Sequence, residues 1–250
     1  MNIEIKDLVL EIMRKQKNKA RLEIIKEILG RLNIDYVVEE ATDSKNIIVR
    51  LRTKQREYNL NKSITVIGAH YDVVPDSLGI NDNTVAVAML IKFLYDVLNN
   101  NLDITEDLDV VFFDKEEVGN IGARDYIKRY GSYIKEALLF DIIGYKDVIL
   151  ASGGMSKITK MFAEYDVKIL RHMLPGDNIA FVANNIPVSL ITSAAKEDIT
   201  NNNDLTHSVV PNASFYKTFH NREWDNDISY INFQHVEKIY QMLKDLYSKI

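Results

Sequence analysis

Six side chains in this sequence, together with one late histidine, are of the kinds that bind divalent cations and move protons: His70, Asp72, Asp82, Glu116, Glu117 and Asp141. His70 and Asp72 close the run SITVIGAHYD and stand two positions apart. On an extended segment such residues share a face, so the carboxylate can orient one nitrogen of an imidazole whose other nitrogen binds a metal. Asp82 follows twelve positions after His70, just ahead of an apolar stretch. The adjacent Glu116 and Glu117 suit a division of labour in which one binds a cation and its neighbour handles a proton. By itself the same pair also reads as a solvated turn. Asp141 lies inside LLFDIIG, and a carboxylate in an apolar strand needs a partner. Two divalent cations roughly 3.5–4 Å apart need about this set, one acid bridging both and His or carboxylate completing each side, and such a pair activates water near neutral pH. Because the chain has no cysteine, any metal must sit on imidazole and carboxylate.

The elements that must position these groups follow from periodicity. Between about Ile5 and Leu32 the apolar residues Leu8, Ile12, Leu22, Ile25, Ile28 and Leu29 recur at helical spacing, with a polar break at Gln16 to Asn18, which predicts two helices. Arg14, Lys15, Lys17, Lys19 and Arg21 read as a solvated helix end and turn. Tyr36 to Glu39 and Ile47 to Arg52 read as antiparallel strands at a sheet edge, joined by the turn-rich ATDSKN. Ile64 to Ala69 and Leu108 to Asp114 are apolar runs expected to form strands buried on both faces. Ala137 to Ile143, Val148 to Ala151, the short VKIL and Ile186 to Thr192 are further strands. Helices are expected over Thr84 to Leu98, Asn120 to Tyr130, Ser156 to Tyr165 and Phe233 to Ser248, the last capped by Asn232. The polar segment Ser193 to Ser214 reads as the least regular part. Alternating strands and helices predict a mixed, mostly parallel central sheet sandwiched between helices, in one α/β domain over residues 1–250. In such folds ligands gather beyond the carboxyl ends of the strands, where His70, Glu116 and Glu117 fall.

Composition bounds the function. With 46% hydrophobic and 27% charged residues, 250 residues suffice for a full core. A net charge of −5 without a clustered basic run argues against nucleic acid as a partner. The N-terminus carries Glu4, Lys6, Asp7 and Glu11 where a secretory leader needs an apolar core, and Val85 to Ile91 is too short to span a bilayer. The expectation is therefore a cytoplasmic protein with no membrane partner. Oligomeric state is not legible.

Taken in order, GAHYD, GINDN ahead of an apolar helix, FFDKEEVGNIGARDY, LLFDIIG and FHNREWDNDISYIN resemble the successive motifs of the co-catalytic di-zinc aminopeptidase family. That family includes bacterial leucyl aminopeptidases, glutaminyl cyclases and glutamate carboxypeptidases. The resemblance runs from about Asn46 to the C-terminus and implies a zinc-exopeptidase fold of the phosphorylase/hydrolase-like kind. It implies two divalent ions, zinc for preference, with His70 and Asp141 on one, Glu117 and His220 on the other, and Asp82 bridging. It further implies Glu116 as general base, Asp72 in support of His70, and a non-proline cis peptide between Asp82 and Asn83. Among the other histidines, His172 and His235 have plain surface readings, and His207 is the reserve ligand or a lid residue. The sequence departs from the family at Thr84, Val85 and Ala86, where small residues are usual, and at Asp177 and Asn178, where many relatives carry an Asp-His pair. The implied activity is a metal-dependent exopeptidase acting on peptides with a free N-terminus. The alternatives are a single-zinc glutaminyl cyclase-type acyltransferase and a non-enzymatic binding domain on the same fold. Related deacylases share an HxDxVP signature but place the bridging acid much further along.

Overall fold

Residues 3–53, 64–99, 102–154, 164–201, 207–211, 213–218, 220 and 223–249 are described in a computed structural model of the chain. Two helices open it, α1 (Ile5–Lys15) and α2 (Arg21–Arg31), each burying one stripe: Ile5, Leu8, Val9 and Ile12 on α1, and Ile24, Ile25, Ile28 and Leu29 on α2. The predicted hairpin follows as β1 (Val37–Glu40) and β2 (Lys45–Leu51), with β1 at the sheet edge. Next come β3 (Ile64–His70), α3 (Val85–Asn99), β4 (Asp103–Ile104), β5 (Leu108–Phe113), α4 (Ile121–Tyr130), β6 (Ile134–Phe140) and β7 (Val148–Gly153). The chain continues through β8 (Lys168–Ile169), α5 (Asn178–Ala183), β9 (Val188–Ala194), β10 (Ile199–Asn201), β11 (His207–Val209), α6 (Phe233–Tyr247) and β12 (Ser248–Lys249).

Eight strands form one sheet in the order β1-β2-β5-β3-β6-β9-β7-β8. Its centre is parallel: β3 pairs with β5 and with β6, and β6 with β9, all in parallel register, whereas β1, β2 and β7 join antiparallel. Alternation along the strands builds two cores. Ile67, Ala69, Val110, Phe112, Leu138 and Phe140 face α1, α2, α3 and α6. Val66, Val111, Phe113, Ala137 and Leu139 face α4 and α5. The chain leaves β3 through α3 to β5 on one side, then passes from β5 through α4 to β6 on the other. With right-handed crossovers, reversing direction must place the two helices on opposite faces, and the crevice between their starts opens at the carboxyl end of β3. His70 is the last residue of that strand.

Four expectations need correction. Asp141 does not sit within a strand: β6 ends at Phe140, and Ile142 turns the chain away at φ 55°, so the acid is at the strand mouth. The segment from Ser193 to Ser214 is more regular than its polarity suggests, since β9 runs to Ala194 and β10 pairs with β11. There a buried carboxylate does the organising: Asp198 accepts hydrogen bonds from Ser214 N (2.5 Å), Ser214 Oγ (2.9 Å) and Ala195 N (3.3 Å). His235 is not a surface residue. It is 1% exposed, its Nε2 lies 2.9 Å from Ser193 Oγ, and burial lowers its pKa to about 4. Because that hydroxyl donates its one hydrogen to Ile143 O, at 2.8 Å, Nε2 carries the proton of the neutral ring. Finally, the short helix α5 stands where only the loop LPGDN and the approach to a strand were expected. The predicted helix Ser156 to Tyr165 falls mostly outside the described residues. No helix among the described residues is long and apolar enough to cross a membrane.

The turn carrying the glutamate pair is closed by a backbone approach that only glycine permits. Gly122 N donates to Asp114 O at 2.8 Å, and Asn46 bridges the two segments, accepting from Asp114 N (3.1 Å) and donating to Gly122 O (2.9 Å). A Cβ on Gly122 would stand 2.4 Å from Asp114 O and 2.6 Å from Asp114 N. Backbone cannot yield as a flexible side chain can. Gly122→Ala is therefore expected to cost about 1–3 kcal/mol, as overpacking typically does. For a chain of this size that lowers Tm by several degrees. A melting curve superimposable on wild type would show that the approach is not as tight as described.

Candidate metal and catalytic site

Five segments converge on the carboxyl edge of the sheet. The first is the end of β3, where His70, buried to 2% exposure, directs its two ring nitrogens at different acids. Nδ1 lies 3.4 Å from Asp72 Oδ1 and 3.2 Å from the Asp72 carbonyl, while Nε2 lies 3.0 Å from Asp82 Oδ1 and 3.4 Å from Asp141 Oδ1. Asp72 also ties the second segment, the turn after β5: its two carboxylate oxygens accept from Glu116 N (3.0 Å) and Glu117 N (3.2 Å). One carboxylate thus sets both the imidazole and the glutamate pair.

Asp82 stands in the irregular turn Ile80–Thr84 that leads into α3, and the Asp82–Asn83 peptide is cis, as the family resemblance implied. Asn83 anchors this turn to the mouth of β6 by donating to Phe140 O at 2.8 Å, next to Asp141. The fifth segment brings His220, whose Nε2 lies 2.6 Å from Glu117 Oε2 and 3.5 Å from Asp82 Oδ2. Its side chain is 53% exposed, so it closes the site from the solvent side.

Every site residue expected from the sequence is within this cluster. Candidate ligand atoms of His70, Asp82 and Asp141 lie within 4.8 Å of one another, as do those of Asp82, Glu117 and His220. The two groups share Asp82. A third grouping joins His70, Glu116 and Glu117. The donor set suits a divalent cation: Glu117 Oε1 is buried without a hydrogen-bond partner, and His70 Nε2 and Asp141 Oδ1 are buried with only each other and Asp82 at ion-pair distance and no well-directed hydrogen bond, which is costly unless something else satisfies them. The ligands are imidazole and carboxylate, a mixture zinc accepts.

Electrostatics point the same way. Burial raises the pKa of Glu116 to about 7 and of Glu117 to about 8, and neighbouring acids add to both shifts. Asp141 is raised by burial as well. Burial disfavours the imidazolium of His70, but Asp141, Asp72 and Asp82 outweigh it and push its pKa well above the usual value. Asp72 moves the other way: burial would raise it, yet the hydrogen bond and charge of His70 and the two backbone N–H groups hold it low. A pocket that stabilises positive charge on an enclosed imidazole has the field to hold a cation. Glu116 is steadied by Asn120, whose Nδ2 donates to Oε1 at 3.1 Å.

Residues 46–243 match peptidase family M28. The chain belongs to this family. Among solved structures, a zinc aminopeptidase of Bacillus subtilis superposes with a TM-score of 0.64 at 17% identity, covering 82% of this chain and 50% of that one. The LapA aminopeptidase of Legionella pneumophila gives 0.74 at 12% identity over 99% of this chain and 72% of that one. A glutaminyl cyclase of Bacteroides thetaiotaomicron gives 0.66 at 15% identity over 98% of both chains. At these identities the likeness establishes the shared α/β fold. Two curated relatives match at 29% and 31% identity over 85 residues, and the chain spans only 8% and 16% of their lengths.

Two contributors to the site, Asp225 and Arg21, went unrecognised in the sequence, and a third, Asp177, was noted only as a departure from the family pattern. Asp225, 1% exposed, accepts from Asn81 N (2.7 Å), Asp82 N (3.2 Å) and Ser77 Oγ (3.0 Å). Burial, and then the charge of Asp82, raise its pKa to about 7. Its signal was the acidic run WDND just after His220. Asp177, one of the departures from the family pattern, is buried with Oδ1 unpartnered, and burial raises its pKa well above normal. Arg21, read from the sequence as part of a solvated turn, sends its guanidinium inward to the Asp82 turn. Of the other histidines, His172 is exposed and His207 lies in β11 and belongs to neither ligand group.

Proposed function

We propose that this chain is a metal-dependent aminopeptidase that hydrolyses the peptide bond after a free N-terminal residue. The observation that carries the reading is the pair of ligand groups sharing Asp82, with Glu116 beside them, in a chain of family M28. His70 and Asp141 would hold one cation, Glu117 and His220 the other, and Asp82 both. When bound there, two divalent ions, zinc for preference, would supply Lewis acidity to water and to the scissile carbonyl. Glu116 takes a proton from the attacking water and delivers it to the departing amine nitrogen, so that water and amide become carboxylic acid and amine. A carboxylate held beside the bound ions can accept the proton of water and release it to the amine nitrogen. Asp72 keeps that carboxyl and the His70 ring in register through its contacts with His70 Nδ1 and with the Glu116 and Glu117 N–H groups. The test is a panel of aminoacyl chromogenic amides assayed with and without a chelator. Turnover abolished by chelation supports the reading, and inactivity toward every member with metal present refutes it.

A second reading has one observation in its favour. A glutaminyl cyclase of Bacteroides thetaiotaomicron is matched end to end, over 98% of both chains, although a leucine aminopeptidase precursor of the same organism is matched as fully, over 98% of this chain and 97% of that one. Such an enzyme would cyclise an N-terminal glutamine and release ammonia, without hydrolytic water.

A further inference from the structure

The acid-bearing loop between β3 and α3 is gripped from outside the family's matched segment. Arg21, the first residue of α2, precedes residues 46–243, yet its guanidinium reaches four groups of this loop. Nη1 donates to Tyr71 O at 3.1 Å, and Nη2 meets Leu78 O at 2.6 Å, Gly79 O at 3.1 Å and Thr84 Oγ1 at 2.5 Å. Nε donates to Gln16 Oε1 at 3.0 Å, and Gln16 Nε2 in turn donates to Leu78 O at 3.0 Å. The acceptors flank the two acids: Tyr71 precedes Asp72, and Gly79 and Thr84 bracket Asp82. Thr84 is itself a departure from the small residues usual in the family, and its hydroxyl is spent on Gly79 O, at 2.6 Å, and on this guanidinium. Gly79 completes the fit, with φ 51° and room for no Cβ, since one would stand 2.5 Å from Asp82 O and 3.0 Å from Arg21 Nη2.

The opposite side of the loop is held by an anion. Asp225 collects the amides of Asn81 and Asp82 and the Ser77 hydroxyl. Cation on the carbonyls and anion on the amides together leave the turn little freedom to change the spacing of its acids. The charge of Arg21 also acts directly. Burial lowers its pKa to about 10, but Asp225, Asp82, Asp72 and Glu117 oppose that fall, so the guanidinium offsets part of the repulsion among the acids.

We propose that Arg21 is a positioning residue for the metal site: its fork of donors fixes Asp72 and Asp82 relative to each other, and so sets the geometry and affinity of cation binding. The inference rests on the proposed metal-dependent function. It requires the planar fork and not merely a positive charge, because a lysine cannot span carbonyls on both sides of the loop. Arg21→Lys and Arg21→Met are to be compared with wild type by zinc titration of metal-free protein, by the visible spectrum of the cobalt-loaded protein, and by hydrogen exchange of residues 71–84 without metal. Both variants are expected to bind metal about ten- to a hundredfold more weakly, as loss of a ligand-orienting partner typically produces. The cobalt spectrum should change, and exchange should quicken within 71–84 while β5 and α6 stay protected. Wild-type affinity and spectrum in folded Arg21→Lys would overturn the proposal, whatever the melting temperature does. Should Arg21→Met fail to fold, Arg21→Lys decides alone. If wild type itself binds no divalent ion, the metal-dependent function fails, and the exchange comparison still judges the clamp: unchanged exchange in 71–84 overturns it.

Discussion

Glu116→Gln is expected to lower turnover by about a thousandfold or more while leaving both metal positions filled. The substitution keeps the size of the side chain and an oxygen that can accept from Asn120, which contacts Oε1 at 3.1 Å. It also keeps the backbone N–H that donates to Asp72. What it removes is the capacity to take a proton near neutral pH, a contribution typically worth roughly 10²–10⁴-fold. Substrate or inhibitor affinity should stay within about tenfold of wild type, since the lost interaction belongs to the transition state. The neighbouring acid should behave otherwise. Glu117 Oε2 lies 2.6 Å from His220 Nε2 and near Asp82, so Glu117→Ala takes an anionic oxygen from one ligand group and should weaken metal binding there. Metal content and kcat measured side by side separate the two. The roles are assigned the wrong way round if Glu116→Gln loses a metal while Glu117→Ala keeps both.

Removal of metal should abolish activity altogether, and zinc should restore it. Glu117 Oε1 has no hydrogen-bond partner, and His70 Nε2 and Asp141 Oδ1 have no well-directed one, so the apoprotein keeps poorly satisfied buried groups that a cation relieves. Metal that binds only the folded state also stabilises it by mass action, about 2.7 kcal/mol at a free concentration one hundred times Kd. Zinc should therefore raise Tm in proportion to the logarithm of its excess. Elemental analysis at saturating zinc is expected to find two ions per chain. One tightly bound ion, with ammonia released from peptides bearing N-terminal glutamine, would favour the cyclase reading over the peptidase.

Most of the sheet could be read from the sequence because its strands are apolar runs that are buried on both faces, and such runs have few other uses. Ile64 to Ala69 and Leu108 to Asp114 were placed to within a residue or two for that reason. Failures came where polar contacts and not apolar periodicity shape the chain. Next to the pairing of β10 with β11, the buried Asp198 carboxylate holds Ser214, and a polar segment stabilised in that way has no repeating pattern to detect. His235 was misjudged because a histidine at a helix start looks solvated until Ser193, 42 positions earlier, is seen beside it.

The site divides along the same line. The identity and order of its acids and histidines are properties of the sequence, because only imidazole and carboxylate can supply this chemistry in a chain without cysteine. So is the placement of His70, Glu116 and Glu117 beyond strand ends, which follows from where the apolar runs stop. Tertiary structure decided the rest. The packed fold brings Asp82 to face both His70 and His220, residues 150 positions apart, and no local pattern encodes that distance. The crossing of α2 behind the loop turns Arg21 from an expected surface charge into a ligand of four loop acceptors. The physical reason is common to both: periodicity records which side of an element is buried, whereas a polar contact depends on which distant segment the packed fold brings to it.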